Sequence, residues 1–242
     1  MKNVLEMKGI TKLFPGVIAN ENVVFELRKG EIHVLLGENG AGKTTLMNVL
    51  YGLYFQEKGD ILINGNIVKI NNPSQAIKLG IGMVHQHFML VNNFTVAENI
   101  ILGLEPKKGI RLDINRANKE VQNLADKYGF NINPKELIED ITVGKQQKVE
   151  ILKALYRGAE ILILDEPTAV LTPQEIKELG LILKNLVNEG KSIILITHKL
   201  KEIMEMSDRI TILRRGKVID TISTKDTNID DLAEKMVGRK VN

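Results

Sequence analysis

Residues 32–45 read Ile-His-Val-Leu-Leu-Gly-Glu-Asn-Gly-Ala-Gly-Lys-Thr-Thr, and this stretch carries the strongest structural signal in the sequence. Its first part, Ile32–Leu36, has the composition of a strand buried on both faces of a sheet. Residues 37–44 match the pattern G-x-x-x-x-G-K-[ST], whose glycines let backbone N–H groups surround phosphate oxygens at the start of a helix. In this pattern Lys43 reaches the terminal phosphates and the Thr44 hydroxyl binds Mg²⁺. An ordinary glycine-rich turn is the alternative, and the flanking strand and helix argue against it.

Three further apolar runs end abruptly in polar residues. Residues 81–84 precede Gln86, residues 161–164 precede Asp165 and Glu166, and residues 193–197 precede His198. Helical stretches are predicted over residues 43–53, 73–79, 146–156 and 173–188, with Ser74 as a candidate cap of the second. Because parallel strands end at one edge of a sheet, we expect Gly37, Gln86, Asp165, Glu166 and His198 to converge. The sequence predicts an α/β fold with a mainly parallel central sheet; polar strand ends by chance are the alternative.

The remaining segments have other patterns. Residues 4–7, 23–27 and 60–70 predict antiparallel strands, and residues 209–222 predict a hairpin around Arg215-Gly216 followed by a short helix over 229–237. Residues 87–158 carry helical patterns with weak strand signals. We therefore expect a single domain over residues 1–242, with a core of about 1–86 and 159–242, an antiparallel β subdomain within it, and a helical subdomain of about 87–158.

Composition excludes several classes of protein. The 242 residues include no cysteine, which excludes a disulfide framework and thiolate chemistry. The net charge of +3 is too small to imply a polyanionic partner. The cluster Arg214, Arg215 and Lys217 has no interleaved aromatic residues, so we interpret it as a solvated hairpin tip and expect no nucleic-acid partner. The early charges and the polar stretch 79–97 predict neither a signal peptide nor a membrane span, so we expect a soluble, cytoplasmic chain.

The carboxylates after the third apolar run predict metal and water chemistry. Consecutive strand residues point in opposite directions, so Asp165 is suited to Mg²⁺ and Glu166 to orienting the attacking water as a base. His198 could contact a γ-phosphate or hold the water, and Gln86 could contact Mg²⁺ or water. The alternatives are solvated acids, a capping histidine and a polar loop residue. His85 and His87 form an H-x-H pair that could suggest zinc, but no third ligand lies at a suitable spacing.

Taken together, these motifs resemble the ATP-binding subunits of ABC transporters, which have the P-loop NTPase fold. The matching segments are Walker A (37–45), the Q-loop glutamine (Gln86), a signature-like segment (141–147), Walker B (161–166), a D-loop-like segment (169–172) and the switch histidine (His198). The resemblance implies an ATPase with ATP and Mg²⁺ as cofactors, and Lys43, Gln86, Glu166 and His198 as catalytic residues. It implies that the metal is held by Thr44, Gln86 and Asp165. It implies nucleotide contacts from Phe14, Gly37, Glu38, Asn39, Gly40, Ala41, Gly42, Lys43, Thr44 and Thr45. A core position is the alternative for Phe14.

The closer resemblance is to the sugar and nucleoside importer branch, whose ATPase polypeptides carry two such domains in tandem. The features are residues 12–17, the variant signature 143–147 and residues 171–175; residues 82–91 look more like nucleoside importers. The chain is then similar to the amino-terminal half. The implied partners are membrane permease subunits, a second nucleotide-binding domain and, indirectly, a solute-binding protein. The implied location is the cytoplasmic face of the cell membrane, as a peripheral protein.

Two departures from the family pattern bear on function. In the family the signature contacts ATP held by the partner domain; here Thr142, Gly144 and Lys145 are the residues available, Val143 replaces a glycine and Lys145 replaces an amide. Thr172 stands where the D-loop aspartate is expected. A regulatory ATP-binding module with weak hydrolysis is therefore a rival interpretation. A soluble ABC-type ATPase acting on ribosomes or DNA would predict long basic or coiled-coil insertions, and a small-molecule kinase would need an acceptor pocket.

Overall fold

A six-stranded sheet forms the centre of the structure, a computed structural model that describes residues 2–108 and 111–238. The strand order is β12-β11-β3-β10-β9-β6. All pairs are parallel except β11 with β12, which form the expected antiparallel hairpin. The strands are β3 (Ile32–Leu36), β6 (Ile81–Val84), β9 (Ile161–Asp165), β10 (Ser192–Thr197), β11 (Arg209–Arg214) and β12 (Lys217–Ser223). The predicted α/β fold with a mainly parallel sheet is confirmed.

Strands β3, β9 and β10 are buried along their whole length on both faces, which explains their mostly apolar sequences. Alternate residues point to opposite faces, so β3 contributes Val34 and Leu36 to a core shared with the helices and Leu35 to a second core. That second core lies between the central sheet, the first helix and an antiparallel sheet. The central sheet is therefore the middle layer of the molecule.

The antiparallel sheet has the order β2-β1-β4-β5. Its strands are β1 (Asn3–Phe14), β2 (Val17–Arg28), β4 (Lys58–Ile63) and β5 (Asn66–Val68). The β1–β2 pairing has several register shifts, and its outer end exposes Val17 and Ile18. These irregularities interrupt the apolar alternation, which is why the sequence predicts only the inner parts of β1 and β2.

Eight helices are described in residues 2–108 and 111–238. They are α1 (Lys43–Leu50), α2 (Pro73–Lys78), α3 (Val96–Ile101), α4 (Ile114–Tyr128), α5 (Val143–Tyr156), α6 (Pro173–Asn188), α7 (Leu200–Met206) and α8 (Ile229–Val237). The prediction that Ser74 caps α2 is wrong, because Asn72 holds the N-cap position and accepts from the Gln75 N–H at 2.9 Å. Helix α1 ends before the predicted residue 53. Helix α5 begins before the predicted residue 146, because the Thr142 hydroxyl caps it.

Three of the helices, α3, α4 and α5, lie between β6 and β9 in the chain, together with the short pair β7 (Lys107–Lys108) and β8 (Arg111–Leu112). Val121 and Ala125 of α4 are fully buried in the same core as Val149 and Leu152 of α5. In the part of the chain that the structure describes, no helix has the length and apolarity needed to cross a bilayer.

Candidate functional site

The phosphate-binding loop is closed around the ammonium group of Lys43. Its Nζ donates to the backbone oxygens of Gly37 at 2.6 Å and Glu38 at 2.9 Å. Burial lowers the pKa of Lys43, while the nearby carboxylates of Glu166 and Asp165 oppose that effect. The loop therefore presents a cation whose two partners are neutral carbonyl groups, and an incoming anion can replace them.

Gly42 allows this loop to lie against the antiparallel sheet. Its φ of 102° is in the region that favours glycine, and a Cβ there would overlap the backbone oxygen of Ala19 and lie 2.7 Å from Nδ2 of Asn20. Asn20 is fully buried, and its Nδ2 donates to the Gly42 oxygen at 3.1 Å. The start of α1 is thus held by a backbone approach that only glycine permits.

Asp165 ends β9 beside the start of α1. The Thr44 hydroxyl donates to Oδ2 of Asp165 at 3.4 Å. Burial raises the pKa of Asp165, and the neighbouring Glu166 raises it further; Thr44, His85 and Lys43 oppose the shift. A divalent cation between Thr44 and Asp165 would favour the ionised carboxylate, so this corner is suited to a metal.

Glu166 and His198 form a hydrogen-bonded pair, although Glu166 follows β9 and His198 follows β10. Nδ1 of His198 lies 2.8 Å from Oε1 of Glu166. Glu166 has a φ of 46°, an uncommon conformation for this residue type. Its second oxygen, Oε2, is buried and has no hydrogen-bond partner among the described residues. A buried acceptor without a donor is costly, and a water molecule held there would satisfy it.

A cleft of about 560 Å³ connects these groups. The predicted site residues that line it are Phe14, Asn39, Gly40, Gly42, Lys43, Thr44, Thr45, Gln86, Asp165 and Glu166. Glu38 and Ala41 line an adjoining cleft together with Asn39 and Gly40. The structure therefore brings together the ends of β3, β6 and β9, and His198 joins them through Glu166.

Phe14 lines this cleft and is partly exposed to solvent. Its ring is 37% exposed, contacts the ring of Tyr54 edge-on at 5.3 Å between centroids, and has Nζ of Lys12 at 5.1 Å from its centroid. A core phenylalanine would be buried, so the alternative interpretation of Phe14 is disfavoured.

The signature-like residues Thr142, Gly144 and Lys145 do not join this cleft. They line a separate one together with Glu175 and other residues of α6. Thr142 is engaged as the cap of α5, and Lys145 forms an ion pair with Glu136 at 3.4 Å. The carboxylate of Glu175 is packed against Gly144. Within one chain, Thr142, Gly144 and Lys145 therefore line a different cleft from the one that the phosphate loop lines.

Sequence reasoning assigns no role in the site to part of the cleft wall. Val17, Ile18 and Ala19 of β2 line it, and so do Arg215 and Gly216 at the tip of the β11–β12 hairpin. Their contribution depends on strand order, since β11 lies directly beside β3. The Arg-Gly turn was visible in the sequence, but its position beside the phosphate loop was not.

The residues present fit a magnesium nucleotide. Mg²⁺ usually takes one or two carboxylates, waters and substrate phosphates, and Thr44, Asp165 and Gln86 offer that kind of donor set. Over residues 2–108 and 111–238, no group of three histidine, cysteine or acidic side chains gathers as a metal site. His85, half of the H-x-H pair, instead packs edge-on against Tyr51 with 6.1 Å between centroids.

A phosphate loop on a parallel sheet, with an acidic pair and a histidine at the same edge, defines a P-loop nucleotide-binding domain. The ABC transporter family model matches residues 20–169, and the chain belongs to this family. It is 64% identical over its full length to the guanosine import ATP-binding protein NupO of Bacillus subtilis (strain 168). It is 59% identical, again over its full length, to the nucleoside import ATP-binding protein NupA of Lactococcus lactis subsp. cremoris (strain MG1363).

The chain covers 48% of each of these two relatives, so it spans about half their length. The fold is shared with the ADP conformation of MJ1267, an ATP-binding cassette of an ABC transporter. The TM-score is 0.86 at 22% identity, covering 99% of this chain and 100% of the other. The predicted resemblance to an ABC ATP-binding domain is confirmed.

Proposed function

We propose that this chain binds and hydrolyses MgATP as one half of the ATPase that drives nucleoside import through a membrane permease. The observation that carries the proposal is the Glu166–His198 pair, whose free buried oxygen lies at the edge that also holds Lys43 and Asp165. The names of the two relatives support nucleosides as the solute rather than simple sugars.

Each side chain has a distinct role in the proposed mechanism. Lys43 exchanges its two carbonyl partners for oxygens of the β- and γ-phosphates, where it offsets charge. Thr44, Asp165 and Gln86 would hold Mg²⁺, which neutralises charge on the phosphates when bound. Oε2 of Glu166 accepts a proton of the attacking water, and His198 fixes the Glu166 carboxylate through Oε1.

Phe14 would hold the adenine ring where it lines the cleft. Glycines 37, 40 and 42, with Glu38, Asn39, Ala41 and Thr45, would bring backbone N–H groups to the phosphates. Exclusion of water from the closed cleft would strengthen these interactions.

A second nucleotide-binding domain is needed to complete the site. Because Thr142, Gly144 and Lys145 face a separate cleft, they can contact only a nucleotide held by another domain. We propose that the second half of the tandem ATPase supplies that domain. Lys145 would leave Glu136 to meet the nucleotide held by the partner domain. Because the signature-like segment departs from the family pattern, that second site would be slower or regulatory.

An apolar groove of about 340 Å³ is the proposed contact with the permease. It lies between the core (about 1–86 and 159–242) and the helical subdomain (about 87–158) that we assign. Its lining includes Tyr51, Leu53, Met83 and Met89. Charged residues, among them Lys153, also line it. The chain would thereby be held at the cytoplasmic face of the cell membrane, and a solute-binding protein would act only through the permease.

The test is the variant Glu166→Gln, measured for ATP binding and for phosphate release. We expect ATP affinity within about threefold of the original chain and turnover lower by about 100-fold or more, as for the loss of a general base. The matched control is Glu160→Gln, which removes an exposed carboxylate paired with Lys191 just before β9. Undiminished turnover in Glu166→Gln would remove Glu166 from this role. ATP binding without turnover in the original chain, with or without permease and second half, would favour the regulatory module.

A further inference from the structure

The tip of the β11–β12 hairpin forms part of the nucleotide cleft. Arg215 and Gly216 line the cleft together with Phe14, with Ile18 and Ala19 of β2 and with the phosphate loop. Phe14 pairs with Val17 at the start of β2, so this part of β2 lies on the side of Phe14. Arg215 also lines the adjoining cleft with Glu38, Asn39, Gly40 and Ala41 of that loop. This tip is therefore a wall of the cleft, while Arg215 and Lys217 stay exposed to solvent.

Backbone hydrogen bonds on two sides fix the position of the tip. The Gly216 N–H donates to the oxygen of Ala41 at 2.9 Å, and the Glu21 N–H donates to the oxygen of Gly216 at 2.8 Å. A Cβ at Gly216 would lie 2.7 Å from the Ala19 oxygen, so the hairpin approaches β2 as closely as a glycine allows. These contacts fix the backbone of the tip, and with it Arg215, relative to the phosphate loop.

Arg215 occupies a backbone conformation that does not suit an arginine. Its φ of 49° is in the left-handed region, where glycine, asparagine and aspartate are the favoured residues. Gly216 also has a positive φ, of 77°, so the two-residue turn between Arg214 and Lys217 imposes this conformation and fixes the backbone that carries the Arg215 side chain.

The other cations of the hairpin are engaged elsewhere. Nη1 of Arg214 donates to the backbone oxygen of Lys235 at 3.0 Å, and Lys217 forms an ion pair with Glu21 at 3.1 Å. The exposed guanidinium of Arg215 has no ion pair and no hydrogen bond with the residues that the structure describes. Among the residues that the structure describes, two cations line the cleft, Lys43 and Arg215. Lys43 is buried beneath the loop. Arg215 is therefore available for another part of an anionic ligand.

We infer that Arg215 is a nucleotide-binding residue whose guanidinium donates hydrogen bonds to the α-phosphate of ATP. Lys43 is placed for the β- and γ-phosphates, and Phe14 is at the end proposed for adenine. The tip that carries Arg215 is bonded through Gly216 to Glu21 of β2, the strand that pairs with Phe14, and to Ala41 of the phosphate loop. The phosphate that lies between the base and the β-phosphate is the α-phosphate. A planar guanidinium is well suited to bind phosphate oxygens in pairs. This inference rests on the proposed binding of ATP in the cleft.

The test compares Arg215→Ala, Arg215→Asn and Lys217→Ala, using displacement of a fluorescent ADP analogue by MgATP, MgADP and AMP. Lys217→Ala is the matched control, because it removes the same charge from the same hairpin. Arg215→Asn removes the cation while suiting the left-handed backbone, so its melting temperature should equal or exceed that of the original chain. Any loss of affinity in that variant then reports a missing contact and not unfolding.

We expect both Arg215 variants to bind all three nucleotides about tenfold more weakly, as for one lost hydrogen bond to a charged group. Lys217→Ala should stay within about twofold. Loss of ATP and ADP affinity with AMP unaffected would overturn the α-phosphate assignment. Affinities equal to those of Lys217→Ala for all three ligands would overturn any nucleotide contact by Arg215. Failure of the original chain to bind MgATP would instead contradict the proposed function itself.

Discussion

Replacement of Glu31 by glutamine should reveal how strongly a buried ion pair anchors the strand that leads to the phosphate loop. Glu31 directly precedes β3 and is 4% exposed. Its carboxylate accepts from Nε of Arg209 at 3.0 Å, from Nη2 of Arg209 at 2.7 Å and from the Arg28 N–H at 2.6 Å. Burial raises the pKa of Glu31, but His33, Arg209 and the Arg28 N–H outweigh it and lower the pKa to about 2.

The lowered pKa sets the magnitude and the pH range. A shift from 4.5 to about 2 corresponds to about 3 kcal/mol of folding stability, because each pKa unit is worth about 1.4 kcal/mol. For a carboxylate with a lowered pKa, this stability is complete above pH 4.5 and is lost as the pH falls toward 2. At about pH 3 the same relation leaves about 1.4 kcal/mol.

Urea unfolding of the original chain and of Glu31→Gln at about pH 7 and about pH 3 measures both quantities. We expect the variant to be less stable by about 3 kcal/mol at neutral pH and the difference to narrow by more than half at pH 3. Glu160→Gln removes a surface ion pair between Glu160, whose side chain is 68% exposed, and Lys191. This variant should lose less than about 1 kcal/mol of folding stability. A deficit in Glu31→Gln that is below about 1 kcal/mol, or that does not change with pH, would refute the reasoning.

Two further substitutions test the loop and its neighbours. Gly42→Ala should abolish measurable ATP binding and cost about 3 kcal/mol in thermal unfolding, because its Cβ would overlap the Ala19 oxygen. Gly40→Ala, with open space around the added Cβ, should bind ATP better than Gly42→Ala; equal binding would contradict the close-approach argument. Thr168→Val should cost about 2 kcal/mol in urea unfolding, since the hydroxyl of the buried Thr168 donates to the Glu202 carboxylate. Thr168→Ser should recover most of that loss, and if it does not, the hydrogen bond is not the cause.

The parallel strands could be predicted almost to the residue, and the reason is their burial. Strands covered on both faces need a mostly apolar sequence, and Ile32–Leu36 and Ile81–Val84 agree with their predicted bounds. The long strands β1 and β2 could be predicted only in part. Exposed apolar residues such as Val17, and bulges in their pairing, remove the regular alternation that a prediction needs.

Helix boundaries show how a local hydrogen bond can override periodicity. The Thr142 hydroxyl caps α5 and extends it to Val143, whereas the apolar pattern begins only later. Asn72, and not Ser74, caps α2, because the cap must precede Pro73 at the first helical position. In both cases the sequence contains the capping residue, but near α2 the neighbouring Asn71 and Ser74 offer similar chemistry.

The candidate site also contains residues that could be predicted from the sequence and residues that could not. Lys43, Thr44 and Asp165 could be predicted because each lies in a motif whose chemistry depends on local spacing. The hairpin tip at Gly216 could not, because its place beside Ala41 follows from the pairing of β11 with β3. Contacts between distant segments depend on strand order, and no local pattern records that order.

The strand order also bears on how the chain is made. Strand β3 has β10 and β11 as its sheet neighbours, and both come from the last part of the chain. During translation, β6 can pair with β9 well before β3 finds any partner. The strand before the phosphate loop therefore has no sheet neighbour until the ribosome has released residues 192–197, and a chain that stalls earlier exposes apolar strand edges that favour aggregation.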